Sequence, residues 1–233
     1  MMKSVLMVLI SATVLTASAS AGDMWFGVYG GPRFNSAGGT AIDALKEGGG
    51  KVTAASQFGA GAYVTLPLST QVKLNLGAGY TQRGYGMESE TIQEDVSVQA
   101  VDMSSKVAMN YLDINLGIAW YFLAAEKDPM NIQPYLGADL IPGFFMSGKS
   151  TSTYFGNESS EDISKDDVKT INFALRPNAG LDFMISPDML IGVNLGYELG
   201  LTNIAKPMYE GATDTPTVKL NGVTTAVRIA FAL

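Results

Sequence analysis

Residues 110–122 read NYLDINLGIAWYF. The even positions are Leu112, Ile114, Leu116, Ile118, Trp120 and Phe122; the odd ones are Tyr111, Asp113, Asn115, Gly117, Ala119 and Tyr121. One face is apolar and ends in aromatics, and the other carries a carboxylate, an amide, tyrosine hydroxyls and small residues. Successive side chains alternate between opposite faces only in a β-strand, so this period of two predicts a strand and not a helix. Two settings accommodate such a strand. One is a sandwich that turns the apolar face inward; the other is a membrane barrel that turns it to lipid.

The rest of the chain chooses between them. Seven further segments carry strand patterns: 24–34, 56–66, 71–84, 131–145, 170–185, 189–201 and 219–233. With 110–122 they make eight strands, and the gaps between them run long, short, long, short, long, short, long. A membrane barrel sorts its connections this way, with short periplasmic turns at one end and longer extracellular loops at the other. Every segment also reaches the 9–11 residues that a tilted membrane strand requires. Gaps of roughly 20 residues are uncommon inside a compact soluble domain.

The alternation repeats along the chain. Val72, Leu74, Leu76, Ala78 and Tyr80 oppose Lys73, Asn75, Gly77, Gly79, Thr81 and Arg83. Ile191, Val193, Leu195, Tyr197 and Leu199 oppose Gly192, Asn194, Gly196, Glu198 and Gly200. The ionisable residues of the polar faces are Arg33, Lys73, Arg83, Arg176 and Arg228 with Asp113, Asp139, Asp182 and Glu198. The same faces hold many glycines, among them Gly59, Gly61, Gly117, Gly137 and Gly180. A solvated sheet face gains nothing from glycine, which leaves nothing to pack. A narrow closed barrel needs small residues inside. A lipocalin-type barrel has the opposite arrangement, apolar within and wet without, whereas here the bulky residues share the face that lacks charge. The fold expected is therefore all-β: an eight-stranded antiparallel up-and-down transmembrane β-barrel with long extracellular loops and short periplasmic turns. Tyr80, Trp120, Phe122 and Tyr197, near strand ends, fit the interfacial aromatic girdles of such barrels.

The N-terminus precedes this domain. Lys3, an apolar run over 4–16 and Ala19-Ser20-Ala21 form the pattern of a secretory signal peptide, with cleavage before Gly22. The run is too short for a spanning helix, which takes ~20 apolar residues. The expected organisation is a signal peptide over 1–21 and a barrel over 22–233. Loss of Lys3 moves the formal charge from −7 to −8, with 14 basic and 22 acidic residues left. That balance excludes nucleic acid as an expected partner, since phosphate binding needs clustered Lys and Arg. The chain has no cysteine, so an exported domain of this kind draws its stability from a large core or from the membrane.

Five segments carry a resemblance to a known family. They are FGAGAYVTLPLSTQVKLNLGAGYTQRGYGM (58–87), NYLDINLGIAWYF (110–122), QPYLGAD (133–139), AGLD (179–182) and GYELGLTNI (196–204). They resemble the PorT-like family of eight-stranded outer-membrane β-barrel proteins over most of the chain outside the long gaps. Tyr111-Leu112-Asp113 and Gly200-Leu201-Thr202-Asn203 are the most specific parts. The resemblance implies the outer membrane of a Gram-negative bacterium. It implies as partners the barrel-assembly machinery, outer-membrane lipid and lipopolysaccharide, and other envelope or secretion-system proteins. The chain departs from the family in ending Phe231-Ala232-Leu233, where relatives usually place the aromatic last.

Chemistry is sparse. Without histidine or cysteine there is no His-based triad, thiol nucleophile, or imidazole or thiolate metal site. Asp113, Asp139, Asp182 and Glu198 are the carboxylates available for acid–base work, and the competing reading pairs them with the five cations of the same faces. The acidic run from Glu158 to Asp167 lacks the spacing of a Ca2+ loop and reads as a solvated charge run. Gly48-Gly49-Gly50-Lys51 lacks the remaining spacing of a phosphate loop. No catalytic residue, cofactor or metal is expected. The expected function is a structural or interaction barrel acting through its external loops, not an open porin, because eight strands enclose only enough space for side chains. A secretion component of the PorT-like kind is the alternative, and a narrow pore or small-solute binder is a third.

Overall fold

The computed structural model describes residues 24–90, 102–123, 131–154, 156–206 and 216–233. The signal-peptide segment 1–21 lies outside the described residues. The strands are β1 (Trp25–Gly38), β2 (Gly50–Pro67), β3 (Val72–Glu90), β4 (Asp102–Tyr121), β5 (Ile132–Tyr154), β6 (Asn157–Ile163), β7 (Ile171–Ser186), β8 (Met189–Gly200) and β9 (Lys219–Ala232). One short helix, α1 (Thr40–Glu47), follows β1.

Every strand pairing is antiparallel. Each ring strand pairs with its sequence neighbour, except that β5 passes over β6 to pair with β7. The first and last strands then meet, Trp25 opposite Ala232 and Phe34 opposite Val223. Eight strands thus close into a barrel, which leaves no edge inside the ring. The ninth, β6, pairs along Gly148–Tyr154 of β5 and stands outside the ring. The start of β1, the end of β9 and the turns after Pro67 and Ser186 gather at one end, the turn end. Helix α1 and the β5–β6 hairpin lie at the other, the loop end.

Three of the expected gaps contain regular structure. The gap over 35–55 holds α1 and the first residues of β2. The gap over 85–109 is largely taken up by continuations of β3 to Glu90 and of β4 from Asp102, paired Glu90 to Asp102. The gap over 146–169 holds the end of β5 and all of β6. The continuations of β3, β4 and β5 and all of β6 are rich in Ser, Thr, Lys and Glu, so no apolar face betrays them. Backbone pairing and hydroxyl contacts hold them instead, as between Thr151 and Ser160 at 3.0 Å and Ser152 and Ser105 at 3.4 Å. Gly156, at φ +76°, makes the tight β5–β6 turn that a residue with a Cβ adopts only under strain. Phe122 falls just beyond β4, its N–H donating to the Pro134 carbonyl at 3.1 Å.

The two faces of the ring are chemically opposite. Outward-facing Leu112, Leu116, Ile118, Leu136, Leu195 and Val227 are exposed, Ile118 at 51 %, whereas inward-facing Tyr111, Asp113, Asp182 and Glu198 are all at 0 %. An apolar exterior of this extent is unstable against water and stable against hydrocarbon. Among the described residues no helix is long and apolar enough to cross a membrane; the crossing is made by strands, whose backbone groups are satisfied by ring closure.

Candidate functional site in the barrel lumen

All nine ionisable residues expected on the polar face lie in the lumen, and they fall into three groups. At the loop end, Arg83 Nη2 donates to Asp113 Oδ2 at 2.8 Å, and its Nε lies 2.6 Å from Glu198 Oε1. Arg33 pairs with the other oxygen of Glu198, and Thr81 Oγ1 donates to Asp113 at 2.8 Å. Strands β1, β3, β4 and β8 each contribute one charged member, so this quartet ties together strands from around the ring.

The middle group is built on Arg176 of β7. Its Nε and Nη2 both donate to Asp139 Oδ2, at 2.9 and 2.8 Å, and Asn178 donates to the same oxygen at 3.0 Å. Arg176 also reaches Asn115, whose amide donates to the Tyr29 hydroxyl at 2.9 Å.

At the turn end Arg228 of β9 forks onto both oxygens of Asp182. Tyr121 donates to Asp182 at 2.8 Å and accepts from Arg228 at 3.1 Å. The Arg228 guanidinium lies 4.5 Å from the centre of the Tyr135 ring. Lys73 departs from the expected ion pairing: its Nζ sits 4.0 Å over the Tyr121 ring, held by the ring's negative face. Among the described residues this lysine, beside the Arg228–Asp182 pair, meets no second carboxylate, and the aromatic face takes that part.

The glycines explain how these chains fit. A Cβ on Gly117 would stand 2.0 Å from Asp139 Oδ1; one on Gly192 would stand 2.3 Å from Asp182 Oδ1 and 2.7 Å from Arg228 Nε. One on Gly180 would enter the Tyr135 ring at 2.4 Å, and ones on Gly61 and Gly79 would crowd the Tyr29 hydroxyl at 2.7 and 2.5 Å. Each long polar side chain thus lies flat across a glycine of a neighbouring strand. Single-sequence reading finds the glycines on the polar face but not which chain covers which glycine, because that depends on strand stagger. It also misses Tyr29, Tyr63 and Tyr135, and it places Tyr121 on the polar face without its partners, although the hydroxyls and rings of all four are as much part of the lumen as the charges.

Apolar clusters cap both ends. At the loop end Met109, Tyr111 and Phe145 pack with Val168, Ile204 and Leu220. The segments carrying Val168 and Ile204 are joined by Lys169 N–H to the Ile204 carbonyl at 2.9 Å. At the turn end Trp25, Tyr63, Met184, Leu190 and Ala230 form a second cluster. On the outer surface, Trp120 and Phe122 stack edge-on with centroids 4.9 Å apart. Tyr80 donates to Asn110 at 2.6 Å, and Asn110 to Ser147 at 2.9 Å, where the outer face turns polar. Tyr197 is exposed toward the loop end of β8. Along β4 the apolar run from Leu112 to Phe122 spans about 33 Å at ~3.3 Å per residue. Tilted by ~40°, it covers about 25 Å of membrane, the height of an outer-membrane apolar band.

A closed antiparallel barrel, apolar without and filled with paired charges within, defines a membrane-spanning β-barrel. The chain belongs to the outer membrane protein beta-barrel domain family, whose model matches residues 20–206. No curated protein matches it. It is similar to solved barrels of low identity. OprG from Pseudomonas aeruginosa is 15 % identical, with 91 % of this chain and 97 % of that one covered and a TM-score of 0.46. Neisserial surface protein A is 10 % identical, with 90 % and 97 % covered and a TM-score of 0.44. The outer membrane protease OmpT from Escherichia coli is 8 % identical, with 92 % and 98 % covered and a TM-score of 0.43.

Proposed function

We propose that this protein is a structural or interaction barrel of a Gram-negative outer membrane, working through its loop end and not as an open porin. The observation that carries the reading is the filled lumen: three groups of paired charges lie between two apolar clusters. A wide aqueous channel needs 16 or more strands. The signal-peptide pattern over 1–21 supports export. The girdle of Trp120 and Phe122 at one end and Tyr80 and Tyr197 at the other supports contact with lipid and lipopolysaccharide headgroups. Phe231, exposed on the outer face of β9, is the residue we assign to recognition by the assembly machinery. Catalysis is not part of this reading, since each lumen carboxylate already has a cationic partner. The test is planar-bilayer recording of the folded protein, with no steady large conductance expected; a sustained large current would overturn the reading.

The alternative, a PorT-like component of secretion across the outer membrane, rests on Tyr111-Leu112-Asp113 and Gly200-Leu201-Thr202-Asn203 in the resembling segments. Deleting the gene and comparing secreted proteins separates the two: unchanged secretion removes this alternative.

A further inference from the structure

Beyond the ring, the barrel wall continues as a projecting sheet. The last residues of β3 pair with the first of β2 and of β4, β4 pairs on with β5 as far as Tyr154, and β6 ends the row. A sheet that leaves a closed ring regains two edges. At the β2 edge stands α1, whose Leu45 is so near that a Cβ on Gly50 would meet its Cγ at 2.7 Å. The β6 edge is bare. Among the described residues its backbone pairs with β5 alone, and all of Asn157–Ile163 is exposed except Ile163, which is half-buried.

Hairpin geometry fixes which groups are open. Tyr154 and Asn157 pair across a two-residue turn, so they bond to each other, and every second residue after Asn157 bonds to β5. Glu158, Ser160 and Asp162 therefore turn N–H and C=O away from β5, the pattern on which an added strand pairs. The edge begins opposite Gly148, one residue past Ser147, where the outer face has already turned polar. An incoming strand reaches it from water and not through lipid. The charges select that strand. β6 carries Glu158, Glu161 and Asp162 and no cation, and the turn after it adds Asp166 and Asp167 against Lys165. On the paired stretch of β5, Gly148–Tyr154, Lys149 is the one cation. Five carboxylates against two lysines leave a net charge of −3. Among the described residues no ion pair engages a carboxylate of β6. A charged edge repels strands of its own sign, which weighs against the β6 of a second copy and favours a basic strand.

We propose that β6 takes up an extended, lysine- or arginine-rich segment of an external protein as an additional strand. Main-chain bonds to Glu158, Ser160 and Asp162 supply the hold, and the carboxylates supply the choice of partner. The inference rests on the interaction reading of the loop end and names the chemistry of the partner. A barrel that carries no steady current and takes up no basic strand loses this inference and keeps that reading.

The test is titration of the folded barrel in nonionic detergent with a fluorescent, end-blocked peptide of alternating lysine and threonine, followed by anisotropy. Amide hydrogen exchange is measured with and without the peptide. Two variants accompany the wild type, each first shown to be folded by its mobility shift on boiling. Ser160→Pro deletes one open N–H and keeps every charge, and an edge strand tolerates proline where the N–H faces solvent. Glu158→Gln with Asp162→Asn keeps the backbone edge and removes two charges. The expected result is saturable binding to the wild type, with the amides of Glu158, Ser160 and Asp162 gaining protection. Affinity should fall on the order of tenfold in Ser160→Pro and severalfold in the charge variant. No saturable binding to the wild type, or binding without that gain in protection, overturns the proposal. So does wild-type affinity in Ser160→Pro, which would make the attraction one of charge alone, or in the charge variant, which would remove the selection.

Discussion

At the loop end of the lumen Arg33 and Arg83 meet two carboxylates, Asp113 and Glu198. At the turn end, among the described residues, Lys73 and Arg228 have one, Asp182, and the rings of Tyr121 and Tyr135. The first group is balanced and redundant at Arg83, which touches both acids and keeps a partner when either varies, whereas Arg33 depends on Glu198. The second is unbalanced and depends on a single residue. Aromatic faces hold cations without adding charge, which lets a narrow lumen carry more positive than negative groups. The comparison implies that equivalent substitutions at the two ends have unequal costs.

Asp182→Leu carries the largest expected effect. It strips Arg228 of both its carboxylate contacts, leaves Lys73 beside it, and gives the Tyr121 hydroxyl no acceptor. Removing one partner of a buried pair costs about 3–5 kcal/mol, and here two cations are left in one group. The folded form should lose its resistance to heat in detergent, measured as the midpoint of the gel-mobility shift. A midpoint equal to that of the wild type would show that tyrosine faces alone suffice for both cations.

Asp113→Leu should cost less, because Arg83 retains Glu198 within 2.6 Å. Its midpoint should fall between those of Asp182→Leu and the wild type. Equal losses at the two sites would remove the distinction between a redundant and a dependent group. Gly117→Ala probes a different limit. Its Cβ would stand 2.0 Å from Asp139 Oδ1, so the carboxylate must move off the Arg176 fork; overpacking of this kind costs about 1–3 kcal/mol. Adding Asp139→Ala should relieve the crowding but leave Arg176 unpaired, so the double variant should gain nothing over the single one.

What the sequence disclosed follows from the same physics. The ring strands were legible because one face meets lipid, which imposes a strict alternation on Leu112 to Phe122 and on Ile191 to Leu199. The projecting ends of β3, β4 and β5, and all of β6, were not. Both faces of KSTSTY and NESSEDI are polar, so pairing there leaves no trace in hydropathy. Helix α1 is short, with Ile42 its single buried residue, and gave no helical period to find. In the lumen the charged residues were legible as a set, because inward positions alternate with outward ones. Their partners were not, since Asp113 meets Arg83 across β3 and β4 but also approaches Glu198 from β8 through the closure of the ring. Lys73 shows the limit clearly: its inward position was predictable, while its seat on Tyr121 depends on how far β3 and β4 are staggered.

Tyr121→Phe is the smallest expected effect and tests the turn end most finely. The substitution keeps the ring beneath Lys73 and removes only the hydroxyl, which donates to Asp182 and accepts from Arg228. Because Arg228 still forks onto Asp182, no charge is left unpaired, and the loss should be about 1 kcal/mol, one net hydrogen bond. Tyr121→Leu removes the ring as well and leaves Lys73 in an apolar seat, so it should cost clearly more than Tyr121→Phe. The gap between the two midpoints measures the ring's hold on the lysine. Repeating the pair in a Lys73→Met background should close the gap, since a neutral chain gains little from the ring's negative face. If the gap persists, the ring acts at this end as filling, and Lys73 is held by the field of Asp182 instead.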